Sequence, residues 1–159
     1  MANLSCISDP ARLEALNRLQ LLDMEGHEAF DRLGRLASRN LKTPAALVSL
    51  VGKDRQYFKG CVGLPEPWST WRETPLTHSI CQHVVALRKP LIIPDTRKHP
   101  VICENLAIRD LGIIAYLGIP LITPENLVLG SFCVVDFQPR LWTDDDVVIL
   151  QDFTNLVMT

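Results

Sequence analysis

A chain of 159 residues is long enough to bury one core without the help of disulfides or a metal. Its 16 basic and 18 acidic residues are interspersed and leave a net charge of −2, so we expect no binding to nucleic acid. The sequence has no apolar run of about 18 residues and no signal-peptide pattern, so we expect a cytoplasmic protein without membrane insertion in this segment.

Two amphipathic helices are predicted at the start of the chain. The first begins at Pro10, with Ser8 or Asp9 as N-cap, and carries leucines at three-residue spacing: Leu13, Leu16, Leu19 and Leu22. A break at Gly26 separates it from the second helix, which has an apolar face and a basic face. The apolar face comprises Phe30, Leu33, Leu36, Ala37 and Leu41, and the basic face comprises Arg32, Arg35 and Arg39.

The middle of the chain alternates short strands, turns and helices. Residues 45–51 and 56–62 are predicted to pair as a hairpin around a turn at 52–55. Residues 63–75 contain three prolines and two tryptophans without periodicity, and they are predicted to form a surface loop or lid. The next elements are a helix from Thr77 or His78 to Leu87, a strand over 91–93, a polar loop over 95–100 and a helix from Cys103 to Leu111.

A second hairpin is the most apolar part of the sequence. Residues 113–122 and 127–135 are apolar at odd and even positions alike, so each strand is predicted to be covered on both faces. The turn over 123–126 ends in Asn126, which tolerates a left-handed conformation. Pro120 needs an edge, a bulge or a place where the neighbouring strand has ended. Helices that cover an antiparallel sheet indicate the α+β class.

The last helix, over residues 143–159, opens with the capping box Thr143 to Asp146. Its helical stripe comprises Val147, Leu150, Phe153 and Val157, and its additional apolar positions are Val148, Ile149 and Leu156. This excess of apolar surface predicts a homodimer through the terminal helices. The predicted interface residues are Leu13, Leu16, Ile149 and Leu156. The last turn, over residues 157–159, has neither a glycine cap nor basic residues, so we expect the helix to lead into a further domain.

Six stretches follow one another in a recognisable order: DRQYFKG at 54–60, SICQHVV at 79–85, PLIIPDTRKHP at 90–100, AYLGIPL at 115–121, LGSFCVVD at 129–136 and FQPRLW at 137–142. Taken together, they resemble a GAF domain, a small-molecule sensor module with PAS-like architecture. The resemblance covers 1–159 as one domain, from the helix of residues 1–25 to the last helix, and points to the bacterial histidine kinase, diguanylate cyclase and phosphatase subgroup. It implies a six-stranded antiparallel sheet with the terminal helices on one face.

The resemblance also implies a pocket between the other face of the sheet and the short helices. Its expected lining is Tyr57, Ser79, Cys81, Asp95, Arg97, His99, Cys103, Asn105 and Tyr116. The implied function is that of a non-enzymatic module of a signalling protein, which binds an unknown small molecule and signals to an output domain in cis. Nothing in the sequence identifies a cofactor. For the loop of Asp95, Arg97 and His99, the alternative to ligand binding is a local bridge between Asp95 and Arg97.

The five cysteines offer other hypotheses, although an odd number without a C-x-x-C pair indicates reduced thiols. Cys133 and Cys81 are expected to be packing residues. Cys103 has the spacing of a bilin-attaching cysteine, which implies a photosensory domain, but Glu104 replaces the histidine that follows such a cysteine. Cys81, Cys103 and Cys133 together would serve a free methionine sulfoxide reductase if they met in space.

A metal site is not expected. His78 and Cys81 share a predicted helix face at i and i+3, whereas His83 lies well round from both. At most two ligands therefore converge from this helix, and a closed zinc site needs four.

Overall fold

The computed structural model describes residues 4–18 and 27–158. Its α-helices are α1 (Pro10–Arg18), α2 (His27–Leu41), α3 (Trp68–Trp71), α4 (Cys81–Leu87), α5 (Ala107–Leu111) and α6 (Asp144–Val157). Its strands are β1 (Ala45–Val51), β2 (Arg55–Val62), β3 (Glu73–Pro75), β4 (Leu91–Ile93), β5 (Ala115–Ile122) and β6 (Val128–Asp136). Short 3₁₀ turns span Leu4–Ser8, Leu76–His78, Thr96–Lys98 and Ile102–Glu104. The predicted positions Leu19, Leu22 and Gly26 lie outside the described residues.

The six strands form one sheet in the order β3-β2-β1-β6-β5-β4, with every neighbouring pair antiparallel. The predicted α+β class and six-stranded antiparallel sheet are therefore confirmed. Both predicted hairpins form, β1 with β2 and β5 with β6. The central pair is β1 with β6, which joins strands far apart in sequence.

Each face of the sheet has its own hydrophobic layer. Helices α1, α2 and α6 pack on one face of the sheet and form what we call the helix layer. There Leu16, Leu41 and Leu150 contact side chains such as Val48 and Phe132. Helix α4 and the first 3₁₀ turn pack on the other face and form what we call the α4 layer. All nine residues of β6 are buried, as its apolar character at odd and even positions predicts.

Two special residues of the second hairpin lie as the sequence predicts. Pro120 pairs with Ser131 of β6, but β4 pairs with β5 only from Tyr116 to Gly118, so the neighbour has ended before the proline. Asn126 adopts the left-handed conformation with a φ of 68° in the turn.

The short elements differ from the prediction. Helix α4 begins at Cys81 rather than at Thr77 or His78, since a 3₁₀ turn precedes it and the Ser79 hydroxyl accepts the backbone N–H of Gln82 at 3.1 Å. The predicted helix from Cys103 to Leu111 is a 3₁₀ turn followed by α5. The predicted loop over 63–75 contains α3 and β3, where a three-residue strand is too short for a period to show.

Helices α2 and α6, the two long helices of the helix layer, can be compared with the helices that the sequence predicts. Leu36, predicted to point inward on α2, is 41% exposed. The capping box of α6 forms, because Thr143 Oγ1 accepts the N–H of Asp146 at 3.1 Å and the Asp146 carboxylate accepts that of Thr143 at 3.0 Å. None of the helices described is both long and apolar enough to cross a membrane.

Candidate functional site

The two tyrosines predicted to share a pocket lie on opposite faces of the sheet. Tyr57 points into the helix layer, where its hydroxyl is 2.5 Å from His27 Nε2. Tyr116 points into the α4 layer and is buried there. Tyr57 pairs with Leu50 and Tyr116 with Val135, and directly paired residues share a face. The structure therefore does not bring Tyr57 into a common pocket with Tyr116.

The space between the sheet and α4 is filled by side chains. Cys81 Sγ lies 3.0 Å from the Tyr116 hydroxyl and 3.9 Å from Cys133 Sγ. The Tyr116 hydroxyl is also 3.2 Å from Ser131 Oγ. Cys81, Tyr116 and Cys133 are each at most 2% exposed. Two of the predicted pocket residues thus belong to a closed interior cluster.

A hydrogen-bonded network continues from this cluster towards the surface. The Ser79 hydroxyl donates to Gln56 Oε1 at 2.9 Å, and the Ser49 hydroxyl donates to the same oxygen at 3.0 Å. The Asn105 amide donates to the Ser79 carbonyl at 3.0 Å and its Oδ1 accepts the N–H of Ala107. Ser79 and Asn105 are therefore hydrogen-bonded to each other, and the Asn105 side chain uses both of these hydrogen bonds to hold backbone groups.

A groove at the outer edge of β4 gathers three other predicted residues, Asp95, Arg97 and His99. We call it the β4 groove, and its volume is about 640 Å³. Its remaining lining comprises Ile92, Ile93, Pro94, Lys98, Pro100, Pro139, Arg140 and Leu141. Ile92 and Leu141 are 48% and 83% exposed, so apolar surface meets cationic side chains in this groove.

The predicted alternative for this loop, a local bridge, is present. Arg97 Nε and Nη2 donate to the two oxygens of Asp95 at 2.9 and 2.8 Å, and the Arg97 backbone N–H donates to the same carboxylate. Hydrogen bonds from the Arg97 side chain lower the pKa of Asp95 to about 2. His99 Nδ1 accepts the N–H groups of Val101 and Ile102 at 3.2 and 3.1 Å. The bridge neutralises Arg97 and leaves Lys98 exposed beside it.

Cys103 occupies neither the groove nor the interior cluster. It is exposed, and its sulfur lies 3.8 Å from the Pro100 carbonyl oxygen. Its neighbours Glu104 and Asn105 line a separate hollow of about 390 Å³, together with Thr77, Gln82 and His83. The structure does not place Cys103 with Cys81 and Cys133, which contact each other.

The histidine considered as a metal ligand is engaged elsewhere. His78 Nε2 is 2.6 Å from Asp110 Oδ2, and its Nδ1 is 2.9 Å from the Thr77 hydroxyl. Hydrogen bonds from Arg109 and then from His78 hold the pKa of Asp110 well below its usual range. Within residues 4–18 and 27–158, no three or more His, Cys, Asp or Glu side chains are grouped so that they could hold a metal ion.

Sequence reasoning missed the segment that closes the β4 groove. The Arg140 backbone N–H donates to the Pro94 carbonyl at 3.0 Å, and the Trp142 indole N–H donates to the Ile93 carbonyl at 3.1 Å. The Arg140 guanidinium also donates to the Leu41 and Lys42 carbonyls at the end of α2. Trp142 directly precedes Thr143, the N-cap of α6. The signal was an arginine and a tryptophan just before a capping box.

The predicted interface residues fall into two groups. Leu16 is 1% exposed, and Leu13 is half-buried and packs against the same core. Ile149 is half-buried and also packs on this core. Leu156 and the neighbouring Val148 are 60% and 59% exposed on α6. The exposed apolar surface of α6 is therefore centred on Val148 and Leu156.

Comparison with known proteins gives one sequence relative of special use. A cyclic di-GMP phosphodiesterase of Pseudomonas aeruginosa is 32% identical over 150 residues, which are 93% of this chain. Those residues are only 25% of the phosphodiesterase, so the chain spans about a quarter of that protein's length. The similarity places a region like this one within a signalling protein.

Solved structures share the fold at low sequence identity. The GAF domain of an Acinetobacter phosphoenolpyruvate-protein phosphotransferase has a TM-score of 0.67 at 15% identity, covering 94% of this chain and 92% of that one. A free methionine-R-sulfoxide reductase of Thermoplasma acidophilum has a TM-score of 0.67 at 12% identity, covering 83% and 89%. These likenesses concern the fold alone. The family model for the GAF domain matches residues 25–159, and the chain belongs to that family.

Proposed function

We propose that this GAF domain is a non-enzymatic sensory module that binds a small molecule and passes its bound state to an output domain in cis. The family is found in signalling proteins, and the Pseudomonas aeruginosa relative carries such a region in about a quarter of its length. The output domain of the full-length protein would then be an enzyme of the phosphodiesterase, cyclase or kinase kind.

The observation that carries this proposal is the double role of residues 139–142. Pro139 and Arg140 form one wall of the β4 groove, and Trp142, bonded to Ile93 in the opposite wall, leads directly into α6. A molecule that widens the groove would pull on the Trp142 to Ile93 bond and hence on the first turn of α6. The groove is thus mechanically linked to a terminal helix.

The chemistry of the groove favours a small anion with an apolar body. Lys98 is exposed and lies outside the Asp95 to Arg97 bridge, so it supplies a positive charge at the rim. Ile92, Leu141 and three prolines supply apolar surface. A carboxylate on an aromatic ring would satisfy both features.

Titration with salicylate should therefore shift the Trp142 indole N–H resonance in a saturable way, together with the amides of residues 143–146. The chain has only three tryptophans, so the indole signals are simple to assign. We expect Lys98→Ala to weaken salicylate binding by about 3-fold, because an exposed charge contributes up to about 1 kcal/mol.

Lys53→Ala is the matched control, because Lys53 is an exposed lysine in the turn between β1 and β2. It should bind salicylate like the parent. Saturable shifts confined to other surfaces, or none up to the solubility limit, would remove the β4 groove as the binding site.

We further propose that the domain signals as a homodimer whose interface is the exposed face of α6. Val148 and Leu156 stand clear of the protomer core on this helix, and Leu36 is exposed on α2, which packs beside α6. A second copy of the chain would bury these side chains about a two-fold axis. Leu13, Leu16 and Ile149, which pack within the protomer, would support the helices rather than form the contact.

Light scattering at micromolar concentration should give the parent twice the monomer mass. Val148→Glu with Leu156→Glu should raise the dissociation constant by about 100-fold or more, because each protomer would bury two charges in place of two apolar side chains. Lys53→Glu, a charge change in the exposed turn between β1 and β2 rather than on α6, should remain dimeric. A parent that stays monomeric throughout the range would refute the dimer.

A further inference from the structure

The interior cluster around Cys81 is built from groups that the proposed binding function does not use. Cys81 is the first residue of α4, and Cys133 lies on β6 with its sulfur 3.9 Å away. Ser131 lies two residues before Cys133 on the same face of β6, and Ser49 is directly opposite Ser131 on β1. Together with Tyr116, these residues surround the Cys81 sulfur on the sheet side.

The surroundings of Cys81 favour its thiolate. Burial raises the pKa of Cys81, but hydrogen bonds of its sulfur with Cys133 and Tyr116 outweigh burial and lower the pKa to about 7. Burial raises the pKa values of both Cys133 and Tyr116, so these two groups keep their protons and remain donors. The cluster therefore favours the thiolate at Cys81 over Cys133 and holds the two sulfur atoms in contact.

We propose that Cys81 and Cys133 form a reversible disulfide when the domain is exposed to hydrogen peroxide. Four observations support the site together: two thiols in van der Waals contact, their common burial, three hydroxyl groups around one of them, and their position on two different elements. None of the five cysteines, all of which lie in the described residues, forms a disulfide, so the structure shows the reduced form of this site.

The chemistry balances in two steps. The Cys81 thiolate attacks peroxide, so that an S–O bond forms as the O–O bond breaks, and the departing hydroxide takes up a proton to become water. The Cys133 sulfur then attacks the sulfenic sulfur, the S–O bond breaks, and the hydroxyl leaves as water with the Cys133 proton. Two thiols are oxidised by two electrons, one peroxide is reduced to two waters, and an added dithiol reverses the reaction.

The disulfide would change the position of α4. A disulfide needs its sulfur atoms about 2.05 Å apart, so the two sulfur atoms, now 3.9 Å apart, have to approach each other and would draw the first turn of α4 towards β6. Gln82, the next residue, donates from its side chain to the Leu76 and Ser79 carbonyls at 2.6 and 2.8 Å. The movement would therefore reach the surface turn at residues 76–78, independently of any ligand in the β4 groove.

Two of the other three cysteines provide controls within the same chain. Cys103 is exposed, so peroxide reaches it without hindrance. Burial raises the pKa of Cys61 to about 11, which keeps it a thiol. If exposure decided the reaction, Cys103 would be oxidised first, and if the local geometry decides it, Cys81 and Cys133 react.

The test treats the folded 159-residue chain with a small excess of peroxide, blocks the remaining thiols with iodoacetamide in denaturant and maps the peptides without reduction. We expect loss of two thiols, a peptide linkage between Cys81 and Cys133, and recovery of both thiols with dithiothreitol. The rate of linkage should rise with pH below the range in which an ordinary cysteine thiol titrates, because the pKa of Cys81 is lowered and the thiolate is the attacking species.

Two variants sharpen the result. Cys133→Ser should trap Cys81 as a sulfenic acid that dimedone labels, whereas Cys103→Ser should leave the linkage unchanged. If Cys133→Ser does not fold, the peptide map of the parent still decides. Alkylation of both Cys81 and Cys133 after Cys103 has been oxidised, or a linkage that involves Cys103, would overturn the proposal.

Discussion

Gly130→Ala is expected to lower the free energy of unfolding by about 3 kcal/mol or more, because β6 leaves no room for a Cβ at this position. A Cβ built on Gly130 would lie 1.9 Å from the Ser49 carbonyl oxygen and 2.9 Å from the Cα of Leu50. These atoms belong to the backbone of β1, so relief requires the separation of the two central strands. A side chain of any size at this position therefore opposes the pairing that joins the two halves of the sheet.

Urea denaturation followed by circular dichroism measures this effect, and Gly34→Ala is the matched control. A Cβ at Gly34 on α2 would lie no closer than 3.4 Å to any neighbour, with Val62 Cγ2 at 3.4 Å and the Ala46 carbonyl oxygen at 3.8 Å, and these are ordinary contacts. Alanine also favours a helix over glycine by up to about 1 kcal/mol, so Gly34→Ala should be neutral or stabilising. Equal effects of the two substitutions would show that the close approach of β1 and β6 is not what limits residue 130.

Asp31→Ala should lower the free energy of unfolding by about 2–4 kcal/mol, because its carboxylate accepts hydrogen bonds from two separate parts of the chain. Asp31 Oδ1 accepts Arg72 Nη2 at 2.8 Å and the backbone N–H of Cys61 at 2.9 Å. The Asp31 and Arg72 side chains are only 20% and 14% exposed. Without Asp31, the Arg72 guanidinium keeps only its bonds to the Phe58 and Lys59 carbonyls, and the Cys61 N–H loses its partner.

Glu73→Ala provides the comparison, because Glu73 forms an ion pair on β3, the strand next to β2. Glu73 pairs with Arg55 at 3.3 Å, but the two side chains are 47% and 38% exposed, so its loss should change stability by about 0.5 kcal/mol or less. Denaturation of the two variants under the same conditions checks the difference. A Glu73 effect as large as that of Asp31 would contradict the argument that burial and the shared N–H give the Asp31 bridge its strength.

The candidate site was only partly predictable, and the reason lies in the strand register. The sequence indicated that Asp95, Arg97 and His99 belong to a functional loop, and the structure brings them together in the β4 groove. It also indicated Tyr57 for the same pocket, but β1 and β2 shift register between Val48 and Ser49. The face on which a β2 side chain lies depends on that irregularity, which leaves no mark in the pattern of residues.

The sequence by itself determined the features that depend on local chemistry and on average burial. The apolar character of β5 and β6 at odd and even positions predicted layers on both faces, and the capping box predicted where α6 begins. Linked motifs gave the family. These signals are local because a cap and a doubly covered strand each leave a pattern within a few neighbouring residues.

Only the tertiary structure decided which side chains meet. Cys81 and Cys133 are 52 positions apart, and their contact depends on where α4 settles on the sheet. The Trp142 indole reaches the Ile93 carbonyl from 49 positions away for the same reason. Such contacts are set by the packing of whole elements against each other, and packing is a property of the assembled layers that no single stretch of sequence encodes.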